Sequence, residues 1–268
     1  MKIVILGSTG MLGNAVGKYF IEKYGEDNVY LSYRNKEISY GKNTFPFIPQ
    51  KCNLWSLPKC DYIINCIGTI KPFIDDDPIA SIQINSVFPR VLANYCKEIN
   101  CKLIHITTDC VFSGVSGEYS EDSLHDCTDS YGKTKSLGEP INCMTIRTSI
   151  IGEEIHKNAS LISWVQSQKG KDVSGFTNHQ WNGVTTKQYA RICSQIIDQA
   201  LYQEGIYHVF SNSITKYKLL CLLNDRFNLN LTIHETFADT AVDRTLSTVK
   251  ELNSFLSNPS IEEQIKEL

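Results

Sequence analysis

Through the first half of the chain, short unbroken apolar runs alternate with stretches whose apolar residues recur every three or four positions. A strand buried on both faces gives the first pattern and an amphipathic crossover helix gives the second. The runs predict strands at residues 2–6, 28–33, 61–68, 102–108 and 144–147. The helical spacing predicts a helix over 11–24 through Leu12, Val16, Tyr19 and Phe20. A second covers 78–99, with Ile82, Val87, Val91, Leu92 and Tyr95 on its apolar side, and a third opens at 131–138. Strand–helix alternation of this kind defines an α/β chain with a doubly wound parallel sheet. After about residue 150 the rhythm loosens. Helices are expected at 158–168, 186–202 and 215–227, strands at 206–210 and 229–233, and an irregular Gly/Asn-rich segment at 175–183. The last ten residues are charged and are expected to fray.

Composition narrows the classes of function. The 268 residues are 42% hydrophobic and 21% charged, with a formal net charge of −3. That balance offers no basic face to nucleic acid or to an anionic membrane, so a phosphate-bearing ligand needs a local site. No apolar run approaches the ~20 residues that span a bilayer. The opening Met1-Lys2-Ile3-Val4-Ile5-Leu6 is too short for a signal sequence and reads as a buried strand. Ten cysteines are scattered through apolar stretches (Cys66, Cys96, Cys193, Cys221) without a compact framework. Reduced core cysteines and a cytoplasmic chain are the expectation, and the absence of a Cys-x-x-Cys or Cys/His cluster points to no metal.

Gly7-Ser8-Thr9-Gly10-Met11-Leu12-Gly13 lies between the first strand and the first helix. Glycines there allow a tight turn and close approach of a pyrophosphate, and the helix N-terminus presents N–H donors. A plain strand–turn–helix is the alternative; position after the first strand favours a dinucleotide. At the end of the second strand stands Ser32-Tyr33-Arg34, with no carboxylate for ribose hydroxyls. Arg34 suits a 2′-phosphate, which favours NADPH, with NADH as the alternative if Arg34 is only a solvated loop charge.

Tyr131-Gly132-Lys133-Thr134-Lys135 sets a tyrosine and a lysine four apart, on one helix face. A nearby ammonium lowers the proton affinity of a phenol, which then serves as a proton donor. Upstream, Ile106-Thr107-Thr108 ends a strand with hydroxyls that polarise a substrate carbonyl. With the glycine loop these motifs resemble the extended short-chain dehydrogenases, and within them the dTDP-4-dehydrorhamnose reductase family. The resemblance covers nearly the whole chain. It rests further on Asn65-Cys66-Ile67-Gly68, Asn85, Thr107 through Gly114, Gly138-Glu139 and Arg147-Thr148-Ser149. It implies a Rossmann-type sheet carrying a small C-terminal substrate-binding lobe. The nucleotide domain would take residues 1–150 with 184–202, and the lobe 151–183 with 203–268.

By that resemblance Thr108 orients a keto oxygen, Tyr131 donates the proton, and Lys135 supports both tyrosine and nicotinamide ribose. Cys66, Ile67 and Gly68 line the cofactor; Asp109, Trp181 and Asn182 join Thr108 and Cys110 around the substrate. The activity implied is reduction of the C4 ketone of a nucleotide-diphospho-4-keto-6-deoxysugar, with a homodimer as the expected assembly. Cys110 stands where plain reductases of the family carry tyrosine. It resembles the thiol of bifunctional epimerase/reductases, an acid/base group beside the ketone. The alternatives are a plain 4-reductase and a non-catalytic nucleotide-binding regulatory subunit. His179 is a candidate partner for Cys110 or an ordinary loop histidine. The segment Ser213 to Tyr217, with Lys216, is a candidate for the nucleotide and Arg244 for its diphosphate, with ordinary surface chemistry as the alternative for both, and His105 is expected to be packed.

Overall fold

The computed structural model describes residues 1–35, 38–51, 53–155 and 159–268. In the first half, β1 (Ile3–Leu6) leads through α1 (Met11–Tyr24) to β2 (Val29–Tyr33), β3 (Asn43–Pro46) and β4 (Tyr62–Asn65). Next, α2 (Pro78–Ile82) passes through a π-helical turn at Gln83–Val87 into α3 (Phe88–Glu98). Then come β5 (Lys102–Thr108), α4 (Ser130–Leu137), β6 (Met144–Thr148) and β7 (Ile150–Ile151). The second half contains α5 (Leu161–Ser167), β8 (Asp172–Phe176), β9 (His179–Trp181), β10 (Val184–Thr185) and α6 (Thr186–Asp198). It continues with β11 (Gly205–His208), β12 (Ile214–Thr215), α7 (Lys216–Phe227) and β13 (Thr232–Thr236). β14 (Val242–Asp243), α8 (Leu252–Phe255) and α9 (Ile261–Lys266) close the chain.

Seven strands form one parallel sheet in the order β11-β6-β5-β4-β1-β2-β3. Alternation along β1 feeds two cores. Ile3 and Ile5 meet Val16, Phe20 and the α6 residues Ile192 and Ile196, while Val4 and Leu6 meet Phe88 and Leu92 of α3. Helices on both faces make the sheet doubly wound, a Rossmann-type α/β fold. The strand order reverses between β1 and β4, and the crevice beyond their carboxyl ends is where ligands bind in such sheets. The strand expected at 206–210 pairs with β6 as an edge of this sheet, although it lies within the segment assigned to the lobe.

Beyond the main sheet, β12-β9-β14, β13-β8 and β10-β7 form small sheets over a separate core of Ile162, Val165, Trp181, Leu219, Leu223 and Ile265. The segment 175–183, expected to be irregular, supplies parts of β8 and β9. Their partners are 33 to 63 residues away in sequence, so local composition gave no sign of them. β13 starts three residues late because Asn228 and Asn230 adopt left-handed conformations, φ 51° and 54°, after α7. The expected start of the 158–168 helix lies outside the described residues; α5 begins at Leu161.

Two expectations fail for physical reasons. On the helix over 78–98, Ile82, Val87 and Val91 are exposed while Leu92 and Tyr95 are buried. The π turn adds a residue and rotates the face that follows it; its buried side carries Ser81, Asn85 and Ser86. Nor does the terminus fray. Ser260 and Glu263 make a reciprocal capping box on α9, whose Ile261 and Ile265 are buried. Gln264 Oε1 accepts from Thr185 N at 2.9 Å. Truncating Ile265 to alanine is expected to cost about 2–4 kcal/mol in urea unfolding, as for a packed core position; a loss near zero would show a detachable tail.

Candidate active site

The loop after β1 is a cradle emptied of side chains. Gly7 has φ +85°, and a β-carbon on Gly13 would lie 2.2 Å from the Gly7 carbonyl oxygen. The Gly10 N-cap supplies no side-chain bond, and the first turn of α1 contains no acidic residue. Its leading N–H groups are therefore open to an anion. Gly7 N donates to Ser32 Oγ at 2.8 Å, tying the loop to β2. Thr9 is half-exposed, Gly10 is exposed, Met11 is half-buried and Leu12 belongs to the core. Arg34 is exposed one residue beyond β2. Across the crevice Cys66 and Ile67 are half-buried beside Gly7, and Gly68 is exposed. These residues fit a dinucleotide diphosphate.

Two glycines let α4 settle against the sheet. A β-carbon on Gly132 would stand 2.3 Å from the Cys110 carbonyl, and one on Gly138 would stand 1.7 Å from the Asn85 carbonyl. Asp129 caps the helix through Gly132 N at 2.8 Å and pairs with Lys71 at 2.8 Å. Asn85, in the π turn, accepts from Thr69 N at 2.9 Å and donates to Thr134 Oγ1 at 3.2 Å. Tyr131 and Lys135 are thereby held at the carboxyl end of β5. Lys135 Nζ donates to Ile106 O at 3.1 Å and lies near Gly68.

Thr108, at the end of β5, lies beside the Tyr131 phenol. Burial drives the phenol well above its usual range, Cys110 adds to the rise, and Thr108 opposes it. The expectation that Lys135 would lower this phenol's proton affinity is corrected: the ammonium is turned to the Ile106 carbonyl. Burial depresses Lys135 to about 8, with Glu139 opposing. Both groups therefore hold their protons near neutral pH.

Cys110 does not continue the strand. A 3-10 turn at Asp109–Val111 follows Thr108, and Cys110 N donates to Thr108 Oγ1 at 3.1 Å. The expectation of two side chains aligned by strand geometry is thus replaced by a turn that still brings Cys110 to Tyr131. Burial pushes the thiol up to about 12, with Asp109 adding to the rise while Thr108, Arg244 and Lys71 oppose it. A thiol, not a thiolate, occupies this position near neutral pH. Asp109 Oδ1 accepts from Thr108 Oγ1 at 3.1 Å.

On the lobe side, Trp181 Nε1 donates to Ser149 Oγ at 2.8 Å, and Lys216 Nζ lies 5.3 Å from the indole centroid. Asn182 does not join the cleft, since both ends of its amide bind the Leu246 backbone, at 2.8 and 3.0 Å. His179 is engaged with the Thr240 carbonyl at 3.1 Å and the Phe176 ring, away from Cys110. His105 is fully buried against Asn65. Lys71 went unmarked in the sequence, because its pairing with Asp129 spans 58 residues of chain.

Beneath the site Arg147, fully buried, is paired bidentately with Glu139 at 2.7 and 3.1 Å. It also donates to His208 Nε2 at 2.5 Å and His125 Nε2 at 2.8 Å, and lies over the Phe112 ring. A guanidinium has no acceptor, so both imidazoles present a bare nitrogen to it.

Glycine cradle, Thr108, Tyr131 and Lys135 on one parallel sheet define a protein of the extended short-chain dehydrogenase class. The family model for the RmlD substrate binding domain matches residues 1–265, and the chain belongs to that family. It is 28% identical over 244 residues to the methionine adenosyltransferase 2 subunit beta of Xenopus tropicalis, spanning 85% of this chain and 72% of that one. It is 30% identical over 141 residues to dTDP-4-dehydrorhamnose reductase of Mycolicibacterium smegmatis, 52% of this chain and 40% of that one. The dTDP-4-dehydrorhamnose reductase of Bacillus anthracis in complex with NADP shares the fold at TM-score 0.75 and 18% identity, covering 99% of this chain and 97% of that one.

Burial holds His208 down at about 4, with Arg147 adding to the effect. In the unfolded chain it titrates near 6.5. Between those values the unfolded state binds the extra proton, so stability is complete above pH 6.5 and declines toward pH 4. Urea unfolding at steps from pH 4.5 to 7 should show that slope, and His208→Gln should flatten it; an unchanged slope in the variant would place the titration elsewhere.

Proposed function

We propose that this chain reduces the C4 ketone of a nucleotide-diphospho-4-keto-6-deoxysugar with NADPH. The observation that carries the reading is the buried Tyr131 phenol beside Thr108, with Lys135 on the same helix, at the carboxyl end of β5 in a glycine-cradled sheet. When bound, the nicotinamide supplies a hydride to the carbonyl carbon. Thr108 orients the keto oxygen, and Tyr131 gives it a proton, so hydride and proton together complete the alcohol. Lys135, charged below about pH 8, exchanges the Ile106 carbonyl for the nicotinamide ribose and stabilises the phenolate left on Tyr131. The cradle of Gly7, Thr9, Gly10, Met11, Leu12 and Gly13 takes the cofactor diphosphate, Cys66 to Gly68 its nicotinamide half, and Arg34 its 2′-phosphate.

Cys110 extends this reading. A protonated thiol beside Tyr131 would return a proton to a carbon next to the ketone once a solvent base has taken the hydrogen that the carbonyl acidifies, and 3,5-epimerisation would use it as that acid. Asp109 and Trp181 join it at the substrate. The exposed face of Ile79, Ile82, Val87 and Val91 with Leu137 supports pairing with a second copy.

A regulatory subunit is the second reading, favoured by the relatives named as subunits of a methionine adenosyltransferase. Retention of Tyr131, Lys135 and Thr108 supports the enzyme. NADPH oxidation with dTDP-, UDP- and GDP-linked 4-keto-6-deoxysugars separates the two: turnover on one sets the substrate, and none on any, with cofactor bound, leaves the subunit. Tyr131→Phe is expected to keep cofactor binding and to lose at least ~100-fold in turnover, the scale of a missing general acid. Near wild-type turnover would sink the mechanism. In deuterium oxide the wild-type product should carry deuterium at C3 or C5, and Cys110→Ser should suppress it. Reduction without exchange at either carbon would leave a plain 4-reductase.

A further inference from the structure

Cys60 and Cys101 stand at the amino end of the parallel sheet, just ahead of its neighbouring strands β4 and β5. Their Sγ atoms lie 3.6 Å apart, in van der Waals contact. Lys102 N donates to Asp61 O at 3.0 Å, which carries the β4–β5 ladder down to the pair. Neighbouring strands run about 5 Å apart, within the Cα separation that a disulfide spans. Closing the contact to a bond of about 2 Å is thus within reach of side-chain rotation.

The pair is open to small molecules. Cys60 is half-buried, and Cys101 lines a surface cavity of about 700 Å3 together with Cys96, Asp61, Lys97 and Lys102. Cys96 lies against Cys101 as a third thiol, and Asp61 and Tyr95 also face the pair. The contact with Cys101, and burial, hold Cys60 well above the ordinary thiol range. Cys60 lowers Cys101, but Cys96 and burial outweigh it and raise that thiol too. Both are protonated near neutral pH, so their exchange with a disulfide is slow there and quickens in alkali.

We propose that Cys60 and Cys101 form a reversible disulfide site that takes small-molecule disulfides as oxidant and staples the base of β4 to that of β5. Half-buried Cys60, as thiolate, attacks one sulfur of the oxidant, whose S–S bond breaks to release the first thiol. Cys101 gives up its proton and attacks the Cys60 sulfur of the mixed disulfide, releasing the second. Two protein thiols lose two electrons and two protons in forming one S–S bond, and the oxidant leaves with them as two thiols. The bridge spans 41 residues of chain, among them Asn65 to Gly68, Lys71 and Asn85. It lies at the opposite end of β5 from Thr108, so it meets none of the reacting groups. Its effect is to restrict the unfolded chain and to secure the segment that frames the crevice.

The test incubates the reduced full chain with oxidised glutathione at pH 8.5 and alkylates the remaining thiols. Mass spectrometry is expected to show two of the ten cysteines protected and no glutathione retained. Tryptic fragments should join Cys60 to Cys101, since cleavage after Lys97 parts Cys96 from Cys101. The oxidised chain should melt about 5 °C above the reduced one, and dithiothreitol should reverse the rise. Cys60→Ser and Cys101→Ala should each lose both bridge and rise, whereas Cys96→Ser should keep both. A bridge between Cys96 and Cys101, glutathione held on Cys60 without a bridge, or no protected pair in the wild type would overturn the proposal. So would a bridge that forms only in urea, or one that leaves the melting temperature unchanged.

Discussion

Contact between α4 and two backbone carbonyls is the constraint from which the site follows. Gly132 lies against Cys110 and Gly138 against Asn85, each with no room for a β-carbon. A side chain at either position would lift the helix from the end of β5 and part Tyr131 from Thr108. The π turn contributes the other half of this contact. Its extra residue turns Asn85 and Ser86 inward, where they bond Thr134, and leaves Ile82, Val87 and Val91 outward. Polar residues face in and apolar residues face out because the local need is to fix a neighbouring helix, not to fill a core.

Charge is arranged in two tiers around that contact. Arg147 of β6, Glu139 just beyond α4, His208 of β11 and the part-exposed His125 form a hydrogen-bonded network. A buried ion pair contributes little net stability when compared with apolar packing, but it is expensive to break. Its effect here is to hold Phe112, and with it the turn bearing Cys110, in one place. Above it, Asp109 acts on Lys216, and Asp126 and Asp129 lie within electrostatic reach of Arg244.

Local residue patterns carried much of the fold. Periodicity placed α1 and β5 at their observed bounds, because a strand buried on both faces must be apolar throughout and a helix covering it must repeat every 3.6 residues. The glycines of the β1 loop and the Tyr131–Lys135 spacing were equally legible, since both are requirements met within a few residues of chain. Legibility ended where a residue's role depends on a distant partner. Strands β8 and β9 looked irregular, Asn182 looked like a ligand contact before Leu246 claimed its amide, and the charged tail looked free before Ile261 and Ile265 found a core.

The sequence by itself therefore determined the class of fold, the nucleotide cradle and the tyrosine–lysine pair, all written in short-range spacing and in the backbone freedom of glycine. Tertiary structure decided the outward turn of the 78–98 helix, the protonated state of the Cys110 thiol and the company of Lys216. Burial and electrostatic neighbours set these properties, and both are brought together by distant chain segments, as when Arg244 reaches the Phe112 carbonyl across 132 residues.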